Sequence, residues 1–547
     1  MAVLLVDNGD LLQGSALAKR LARWDVDSTH PVVAALNYLE YDVWGIGNHD
    51  LDFGIDYLTD IAAHLRFPVI CSNLDLAGNG PIRRSATISY DARKAADGTG
   101  ADLKVAILSA LPEATAEWNF EELRDRAQVT SSVSAITAEA DALRHAGADI
   151  VILLAHMGLE GPAEGTDRRD DLRSLAAIPG IDAIISGHTH RRLPGPDHDG
   201  FAEVDAWRGC VCGRPTVMPG FNASDLAVLD LRLSAANNEG WQVTQHAASL
   251  RSNRPDTIPN PAVIRQASAA HERLRVELAE PCCHHDRPIH NFFSLVAPTQ
   301  TAALVASARR HAIADALTVP SDLDLPLLAT ASAHTAGGHG GASNFIFIPA
   351  GTIRKRHIEA LTPFDNPIWA LRLRGRDIRH WLEQSACAFN RLLPDRPDQP
   401  ILQHSRPSFE FDTIFGIDYG IDPCRPEGER IIGLAYQGKP LEDDQPVILA
   451  TSQFRVAAGR GKLMFSEDQV AARAQTTLST ALTITLGGGR PAHHLGEKPW
   501  HFAPSPPVQA VFETTRESHP YLREIAHLQP RTLPTETSDF ARFRLTF

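Results

Sequence analysis

Short apolar runs that each end in polar residues recur along the first part of the chain. They lie at residues 3–6, 41–44, 67–71, 103–108, 149–154 and 181–185. Apolar runs of this length are typical of buried strands, and the segments at 55–65 and 136–146 between them have the spacing of helices. The pattern predicts an α/β domain whose strands alternate with helices.

The pattern changes after residue 215. Apolar and polar positions then alternate up to Ser252, which predicts β-hairpins that close the first domain. Residues 254–261 break every periodicity and contain three prolines, so we place the domain boundary there. We predict a first domain at 1–253, a linker with a connecting helix at 254–285, and a second domain at 286–547.

Composition narrows the class of protein. A chain of 547 residues exceeds what one core usually serves, and a hydrophobic fraction of 43% suffices for two. The net charge is -14 without any Lys/Arg-rich run, which argues against a nucleic-acid polymer as partner. We find no apolar run long enough for a bilayer and no export leader, so we expect no membrane association and predict no protein partner.

Seven cysteines, an odd number spread along the chain, argue against a disulfide framework. The cluster at residues 282–286, Cys-Cys-His-His-Asp, has adjacent ligands that seldom converge on one ion, and no CxxC spacing accompanies it. We therefore expect a polar loop there.

Residues 45–54, with the sequence GIGNHDLDFG, form the stretch around which we expect the chain to be organised. They lie between a predicted strand and a predicted helix, and such loops carry chemistry in α/β proteins. Asn48 offers a neutral oxygen to a hard cation, His49 can transfer a proton, and Asp52 can hold the imidazole in one tautomer. An ordinary polar turn would have the same residue types.

Five side chains that can bind metal each follow a predicted strand, namely Asp10, Asn48, His156, His188 and His190. Each alone could be structural. Since strand ends lie along one edge of a sheet, the five are expected to converge. A shared carboxylate with imidazoles suits a two-metal hydrolase in which a bridging hydroxide attacks phosphorus in line.

The segments around these residues read GD, GNHD, AHMG and GHTH in chain order. This series resembles the calcineurin-like metallophosphoesterases, and specifically the 5'-nucleotidase family. The stretches at 7–14, 217–221, 288–296, 381–386, 411–416 and 500–504 are similar to its 2',3'-cyclic-nucleotide 2'-phosphodiesterase/3'-nucleotidase branch. The resemblance implies an αββα metallophosphatase sandwich followed by a C-terminal α/β 5'-nucleotidase-type substrate domain.

The resemblance also implies roles. Asp10 corresponds to the bridging metal ligand, and Asn48, His156 and His188 to the other ligands of one ion. His190 corresponds to a ligand of a second ion, His49 to the catalytic histidine, and Asp52 to the carboxylate that orients it. The cofactors implied are two divalent metal ions, and this ligand set accepts manganese, iron, cobalt or zinc.

The chain departs from the family at its start. Family members open with an Asp-x-His strand that supplies two ligands to the ion that His190 also binds, and no such motif precedes Asp10. We expect poor affinity for the second ion, which leaves the activity of the chain as written open. A misassigned start codon, a fragmentary gene and a protein that works without that ion are the alternatives. The family implies a periplasmic location, whereas a chain without a leader would stay cytoplasmic.

In the second domain the resemblance implies a nucleobase held between two aromatic rings, at Phe409 and Phe454. Gly338 and Gly340, in a glycine-rich loop, could let a ribose or phosphate approach the backbone. The function implied is hydrolysis of 2',3'-cyclic nucleotides to 3'-nucleotides and then to nucleoside and phosphate. The alternatives are a 5'-nucleotidase or UDP-sugar hydrolase, and a non-catalytic protein that binds small-molecule nucleotides.

Overall fold

In a computed structural model, the chain divides into two units, Met1–Arg275 and Val276–Phe547. The structure describes residues 2–25, 30–78, 80–90, 102–159, 170–236, 240–254, 256–403, 406–458, 464–504, 506–535 and 539–547. The division falls inside the helix Pro261–Leu278, at the place where we predicted a connecting helix. Pro255, within the predicted break, lies outside the described residues.

Helices and strands alternate through most of the first unit, as the apolar pattern predicted. Its strands are β1 (Val6–Asp7), β2 (Val43–Gly45), β3 (Val69–Ile70), β4 (Leu74–Leu76), β5 (Ile82–Arg83), β6 (Ser85–Tyr90), β7 (Leu103–Ala110), β8 (Ala127–Val129), β9 (Ile150–Ala155), β10 (Ala183–Ser186), β11 (Arg192–Leu193), β12 (Val204–Asp205), β13 (Cys210–Val211), β14 (Arg214–Pro219), β15 (Asp225–Ala236) and β16 (Gly240–Ser252). Its helices are α1 (Ala16–Leu21), α2 (Pro31–Tyr38), α3 (Ile55–His64), α4 (Thr115–Trp118), α5 (Phe120–Leu123), α6 (Ser132–His145), α7 (Leu172–Ala176) and α8 (Pro261–Leu278).

Two sheets form the centre of this unit. One has the order β1-β2-β3-β5, and the other runs β12-β13-β14-β10-β9-β7-β6. Val43 and Ile70 of the first sheet pack with Ile107 and Leu154 of the second in one buried cluster. Separate clusters cover the outer faces, where helices α3 and α6 pack. The layers are therefore helix, sheet, sheet, helix, which confirms the αββα prediction.

Strand direction places the loops that carry the candidate residues. β1 and β2 are parallel, and so are β9 and β10. The loops after the two strands of each pair therefore leave the same edge of that sheet. β1 is shorter than the apolar run at 3–6 predicted, because the Leu5 N–H bonds to the Asp42 carboxylate at 2.8 Å instead of continuing the strand pairing.

The alternating segment after residue 215 forms the predicted hairpin. β15 and β16 pair antiparallel from Asp225–Ser252 to Ala236–Gly240, with a register shift at Arg232/Leu233. All seven cysteines are free, so the prediction of no disulfide framework is confirmed. None of the described helices is both long and apolar enough to span a bilayer.

The second unit is a mixed helix and strand domain. Its strands are β17 (Pro281–His285), β18 (Ile289–His290), β19 (Leu327–Ser332), β20 (Phe347–Ile348), β21 (Gly351–Arg354), β22 (Pro367–Arg374), β23 (Asp412–Phe415), β24 (Asp418–Ile421), β25 (Ile431–Tyr436), β26 (Lys439–Pro440), β27 (Pro446–Ser452), β28 (Val470–Thr477), β29 (Trp500–Phe502), β30 (Gln509–Thr514), β31 (Arg531–Leu533) and β32 (Ala541–Thr546). Its helices are α9 (Gln300–Ala316), α10 (Pro320–Leu323), α11 (Lys355–Leu361), α12 (Gly375–Ala386), α13 (Gln453–Ala458) and α14 (Leu478–Leu486).

A sheet of order β23-β19-β27-β22-β28 organises this unit, with α9 packed on it. Two buried clusters, one of which contains Trp381 and the other Phe415, form its core. Residues 281–285, which we assigned to the linker, instead form β17 and pair with β21. The physical reason is that Cys282 and Cys283 pack against the core as apolar side chains.

Glu383 supports a prediction about stability. This carboxylate is 5% exposed and accepts the backbone N–H groups of Arg430, at 2.9 Å, and Ile431, at 2.7 Å. Glu383→Ala leaves both buried donors without an acceptor, so we expect a loss of about 2–4 kcal/mol in unfolding free energy. Urea unfolding followed by tryptophan fluorescence measures it. Glu429→Ala, at an exposed position nearby, is the control and should behave like wild type.

Candidate metal centre and nucleotide site

The Asp50 carboxylate ties the first two loops of the site together. It is fully buried and accepts four backbone N–H groups, from Gly47, Asp10, Leu11 and Leu12, at 2.8–2.9 Å. Burial, and then the charge of Asp10, raises the pKa of Asp50 to about 7. Sequence reasoning missed this residue, although it lies inside the stretch at 45–54.

Asp10 is held at the centre of the site. It has a positive φ of 58°, and its Oδ1 accepts the backbone N–H of His49 at 2.8 Å. The chain passes so close that a Cβ on Gly47 would lie 2.3 Å from that oxygen, so only glycine fits there. The two loops therefore meet at the carboxylate predicted to bind metal.

His156 follows β9 and is 2% exposed. Its Nδ1 lies 2.6 Å from the backbone carbonyl oxygen of Asn8. A carbonyl oxygen can only accept, so Nδ1 carries a proton and donates it. Nε2 lies 3.0 Å from Asp10 Oδ2 and has no hydrogen-bond partner in the described structure. Two such atoms facing one another fit a cation bound between them.

Without a cation, the two groups influence each other's ionisation. Burial opposes charge on both, but their mutual attraction outweighs it, so the pKa of Asp10 falls and that of His156 rises. A bound divalent ion would replace the proton that this attraction favours on the imidazole.

His188, after β10, completes a group of three. The ligand atoms of Asp10, His156 and His188 all lie within 4.8 Å of one another, and no other such group of His, Cys, Asp or Glu occurs in the described parts of the chain. Burial, and then the charge of His156, lowers the pKa of His188 to about 3. His188 is therefore neutral at neutral pH, which is the form that binds metal.

Asn48 adds a fourth candidate ligand. It is 4% exposed, and its Oδ1 is buried without a hydrogen-bond partner in the described structure. An unpaired buried acceptor costs about 1–3 kcal/mol, and a cation would remove that cost. Asn48 stands between Gly47 and His49, both of which contact Asp10. One carboxylate, one amide oxygen and two imidazoles thus suit a divalent ion.

His190 lies apart from this group. Its ring stacks on Phe221 with centroids 4.6 Å apart and an interplanar angle of 6°, and its residue is exposed. The structure does not include it in the three-residue group that contains Asp10. Its assignment to a second ion stays a prediction.

His49 and Asp52 form the expected pair. His49 Nδ1 lies 2.9 Å from Asp52 Oδ2, and the side chains are 37% and 23% exposed. Burial lowers the pKa of His49, but the hydrogen bond and charge of Asp52 outweigh it and raise the pKa to about 9. His49 is therefore a protonated, reachable imidazole that can donate a proton from Nε2.

The candidate nucleotide-binding residues lie at one end of the second unit's main sheet. Phe409 directly precedes β23, Phe454 directly follows β27, and the glycine-rich loop comes after β19. β23 runs antiparallel and β27 parallel to β19, so all three segments lie at the same end. Phe409 is 41% exposed and Phe454 is half-buried.

Arg455 links the two aromatic positions. Its guanidinium donates to the Phe409 carbonyl oxygen and lies 5.7 Å from the Phe454 ring centroid. It also pairs at 3.0 Å with Asp412, which is fully buried. Sequence reasoning missed this buried ion pair, although both residues lie within three positions of a predicted phenylalanine.

The glycine loop leaves room near the backbone. Gly338 and Gly340 bound a 3-10 turn, and a Cβ on Gly338, whose φ is 61°, would meet nothing within 4 Å. Gly340 faces Asn344, whose Nδ2 would lie 2.2 Å from a Cβ there. Open space at Gly338 is compatible with the predicted approach of a ligand to the backbone.

Known families account for most of the chain. Residues 2–192 match the family model of the calcineurin-like phosphoesterases, and residues 281–467 match that of the 5'-nucleotidase C-terminal domain. A 2',3'-cyclic-nucleotide 2'-phosphodiesterase/3'-nucleotidase of Salmonella typhimurium is 30% identical over 486 residues, which cover 84% of this chain and 74% of that protein.

Two further comparisons agree. A trifunctional nucleotide phosphoesterase protein of Bacillus subtilis is 27% identical over 95% of this chain, which spans only 37% of that protein's length. The crystal structure of a putative 5'-nucleotidase from Staphylococcus aureus has a TM-score of 0.69 at 19% identity, covering 91% of this chain and 90% of that one, and supports the fold alone. The chain therefore belongs to the 5'-nucleotidase family of calcineurin-like phosphoesterases, which are metal-dependent phosphoric ester hydrolases.

Proposed function

We propose that this protein hydrolyses 2',3'-cyclic nucleotides to 3'-nucleotides and then to nucleoside and phosphate. The observation that carries the proposal is the convergence of Asp10 Oδ2, His156 Nε2 and His188, beside the unpaired Asn48 Oδ1. The substrate is proposed from the Salmonella relative, whose name states this activity. A nucleotide phosphate brings the negative charge that such a site is suited to receive.

Asp10, Asn48, His156 and His188 would hold a divalent cation, which supplies charge neutralisation for the phosphate and activation of the attacking water. His156 keeps its Nε2 lone pair turned inward because Nδ1 donates to Asn8. His49 would give its Nε2 proton to the leaving oxygen of the ribose, while Asp52 holds the Nδ1 proton.

In the second unit, Phe409 and Phe454 would stack on the two faces of the base. A π-face accepts every base, so we propose broad nucleotide recognition. Gly338 and Gly340 would let ribose or phosphate reach the backbone.

Assays on 2',3'-cyclic AMP, 3'-AMP and 5'-AMP with added Mn²⁺ test the substrate. We expect turnover of the first two and little turnover of 5'-AMP. Preference for 5'-AMP would support the 5'-nucleotidase alternative. Binding of all three without turnover would instead leave a nucleotide-binding protein.

Metal content is the second prediction. We expect about one tightly bound Mn²⁺ per chain, because four side chains suit one ion whereas His190 lies apart. His156→Ala should abolish tight binding and His190→Ala should preserve it, as measured by dialysis and elemental analysis. Two tight ions in wild type, or loss of the tight ion in His190→Ala, would refute this assignment.

His49→Ala should lower kcat by about two to four decades, the usual contribution of a positioned acid or base. Its metal content should stay at the wild-type level, because the side chain is not among the proposed ligands. His145→Ala, at an exposed position in α6, serves as the control. An unchanged rate in His49→Ala would remove it from the mechanism.

Phe409→Ala should raise KM for nucleotides about tenfold to a hundredfold, since stacking on one ring contributes about 1–3 kcal/mol per base. Hydrolysis of bis(p-nitrophenyl) phosphate, which has no nucleobase, should keep its wild-type kinetics. Phe364→Ala is the matched control, since its exposure of 36% is similar. Equal losses on both substrates would contradict the stacking role.

A further inference from the structure

The connection between β7 and β8 contacts both parts of the proposed site through two consecutive side chains. It contains the short helices α4 and α5, with Asn119 between them. Asn119 donates from Nδ2 to Asp52 Oδ1 at 2.9 Å. The Trp118 ring stacks on His188 with centroids 5.4 Å apart and an interplanar angle of 19°.

Asn119 extends the histidine–aspartate pair into a chain of three groups. Asp52 Oδ1 accepts from Asn119 and Asp52 Oδ2 lies 2.9 Å from His49 Nδ1, so each carboxylate oxygen has its own partner. Asp52 and His49 are both partly exposed, whereas Asn119 is 3% exposed. The buried amide is therefore the rigid end of the chain.

The amide has a preferred orientation. If it turned over, Oδ1 would face the Asp52 carboxylate and repel it. In the described structure Oδ1 is buried without a partner, so the orientation is determined by the bond to Asp52. A buried acceptor left unpaired has a cost, and the site keeps this arrangement in spite of it.

The backbone around Asn119 is anchored from both sides. Its own N–H bonds to the Thr115 carbonyl at 3.0 Å, and its carbonyl accepts from Leu123 at 2.9 Å. Thr115 is fully buried, and Leu123 packs in the cluster on the outer face of the first sheet. A side chain on such a support can hold a partner that solvent would otherwise leave free to rotate.

We propose that Asn119 is a positioning residue for phosphate-ester cleavage, which orients Asp52 so that its second oxygen holds the His49 imidazole. The inference rests on the proposed role of His49 as the proton donor. No comparison with known proteins assigns a role to Asn119. Trp118 would act beside it by holding the plane of the His188 ring.

The test uses Asn119→Asp, which keeps the shape of the side chain but replaces the donor by a second negative charge. Cleavage of 3'-AMP, whose alkoxide must be protonated to leave, should slow by about 10- to 100-fold in kcat with KM unchanged. Cleavage of p-nitrophenyl phosphate, whose leaving group departs without a proton, should slow by less than about threefold. A purely structural role would slow both substrates equally.

The exchange variant Asp52→Asn/Asn119→Asp restores one carboxylate and one amide. We expect it to recover at least about tenfold of the 3'-AMP rate lost in Asn119→Asp, because a donor–acceptor pair again joins the two positions. Glu117→Gln, at an exposed position of the same turn, should keep the wild-type rate. Equal slowing of both substrates, or no recovery in the exchange variant, overturns the proposal.

A structural measurement separates this inference from the proposed function. Crystal structures of wild type and Asn119→Asp should show the His49 Nδ1–Asp52 Oδ2 hydrogen bond kept in the first and lost in the second, with the backbone unchanged. An intact bond in the variant overturns the role of Asn119 whatever the enzyme hydrolyses. A wild type that cleaves no phosphate ester would overturn the proposed function alone.

Discussion

The hydrogen bonds of the Asp50 carboxylate are the interaction on which the first unit's site depends. One buried side chain accepts four backbone N–H groups from two loops that are about 40 residues apart in the sequence. A carboxylate that accepts several buried N–H groups satisfies donors that water cannot reach. Because the loops carry Asp10 and Asn48, this bonding determines where two of the four candidate ligands lie.

The other ligands follow from strand direction and proton placement. β9 and β10 are parallel neighbours, so His156 and His188 leave the sheet at the same edge. The Asn8 carbonyl determines which nitrogen of His156 carries the proton, and burial keeps His188 neutral. Each of these contacts leaves an unprotonated nitrogen for a cation, which is why the cluster suits a metal-dependent hydrolase.

Much of this could be predicted from the sequence, for identifiable reasons. Apolar runs showed the strands, and the polar residues after them gave Asp10, Asn48, His156 and His188, because the ends of parallel strands share an edge. The pairing of His49 with Asp52 was predictable since only three positions separate them. The αββα layers and the β15–β16 hairpin followed from the switch between continuous and alternating apolar patterns.

The remaining features arise from contacts that sequence spacing does not reveal. Asn119 meets Asp52 across 67 positions, and Arg455 meets Asp412 across 43. His190 is close to His188 in sequence, yet its ring turns toward Phe221, which depends on the backbone of a loop and not on spacing. β17 looked like a polar loop because its packing uses two cysteines whose burial depends on the tertiary fold.

The central claim is that Asp10, Asn48, His156 and His188 converge on one divalent ion. A crystal structure of the protein with Mn²⁺, with anomalous scattering collected at a wavelength where manganese contributes, tests it most directly. The account predicts a strong anomalous peak about 2.0–2.3 Å from Asp10 Oδ2, Asn48 Oδ1, His156 Nε2 and a ring nitrogen of His188, the range of nitrogen and oxygen ligands in protein metal sites. A site without a peak, or a peak that leaves Asn48 and His156 uncoordinated, would contradict it.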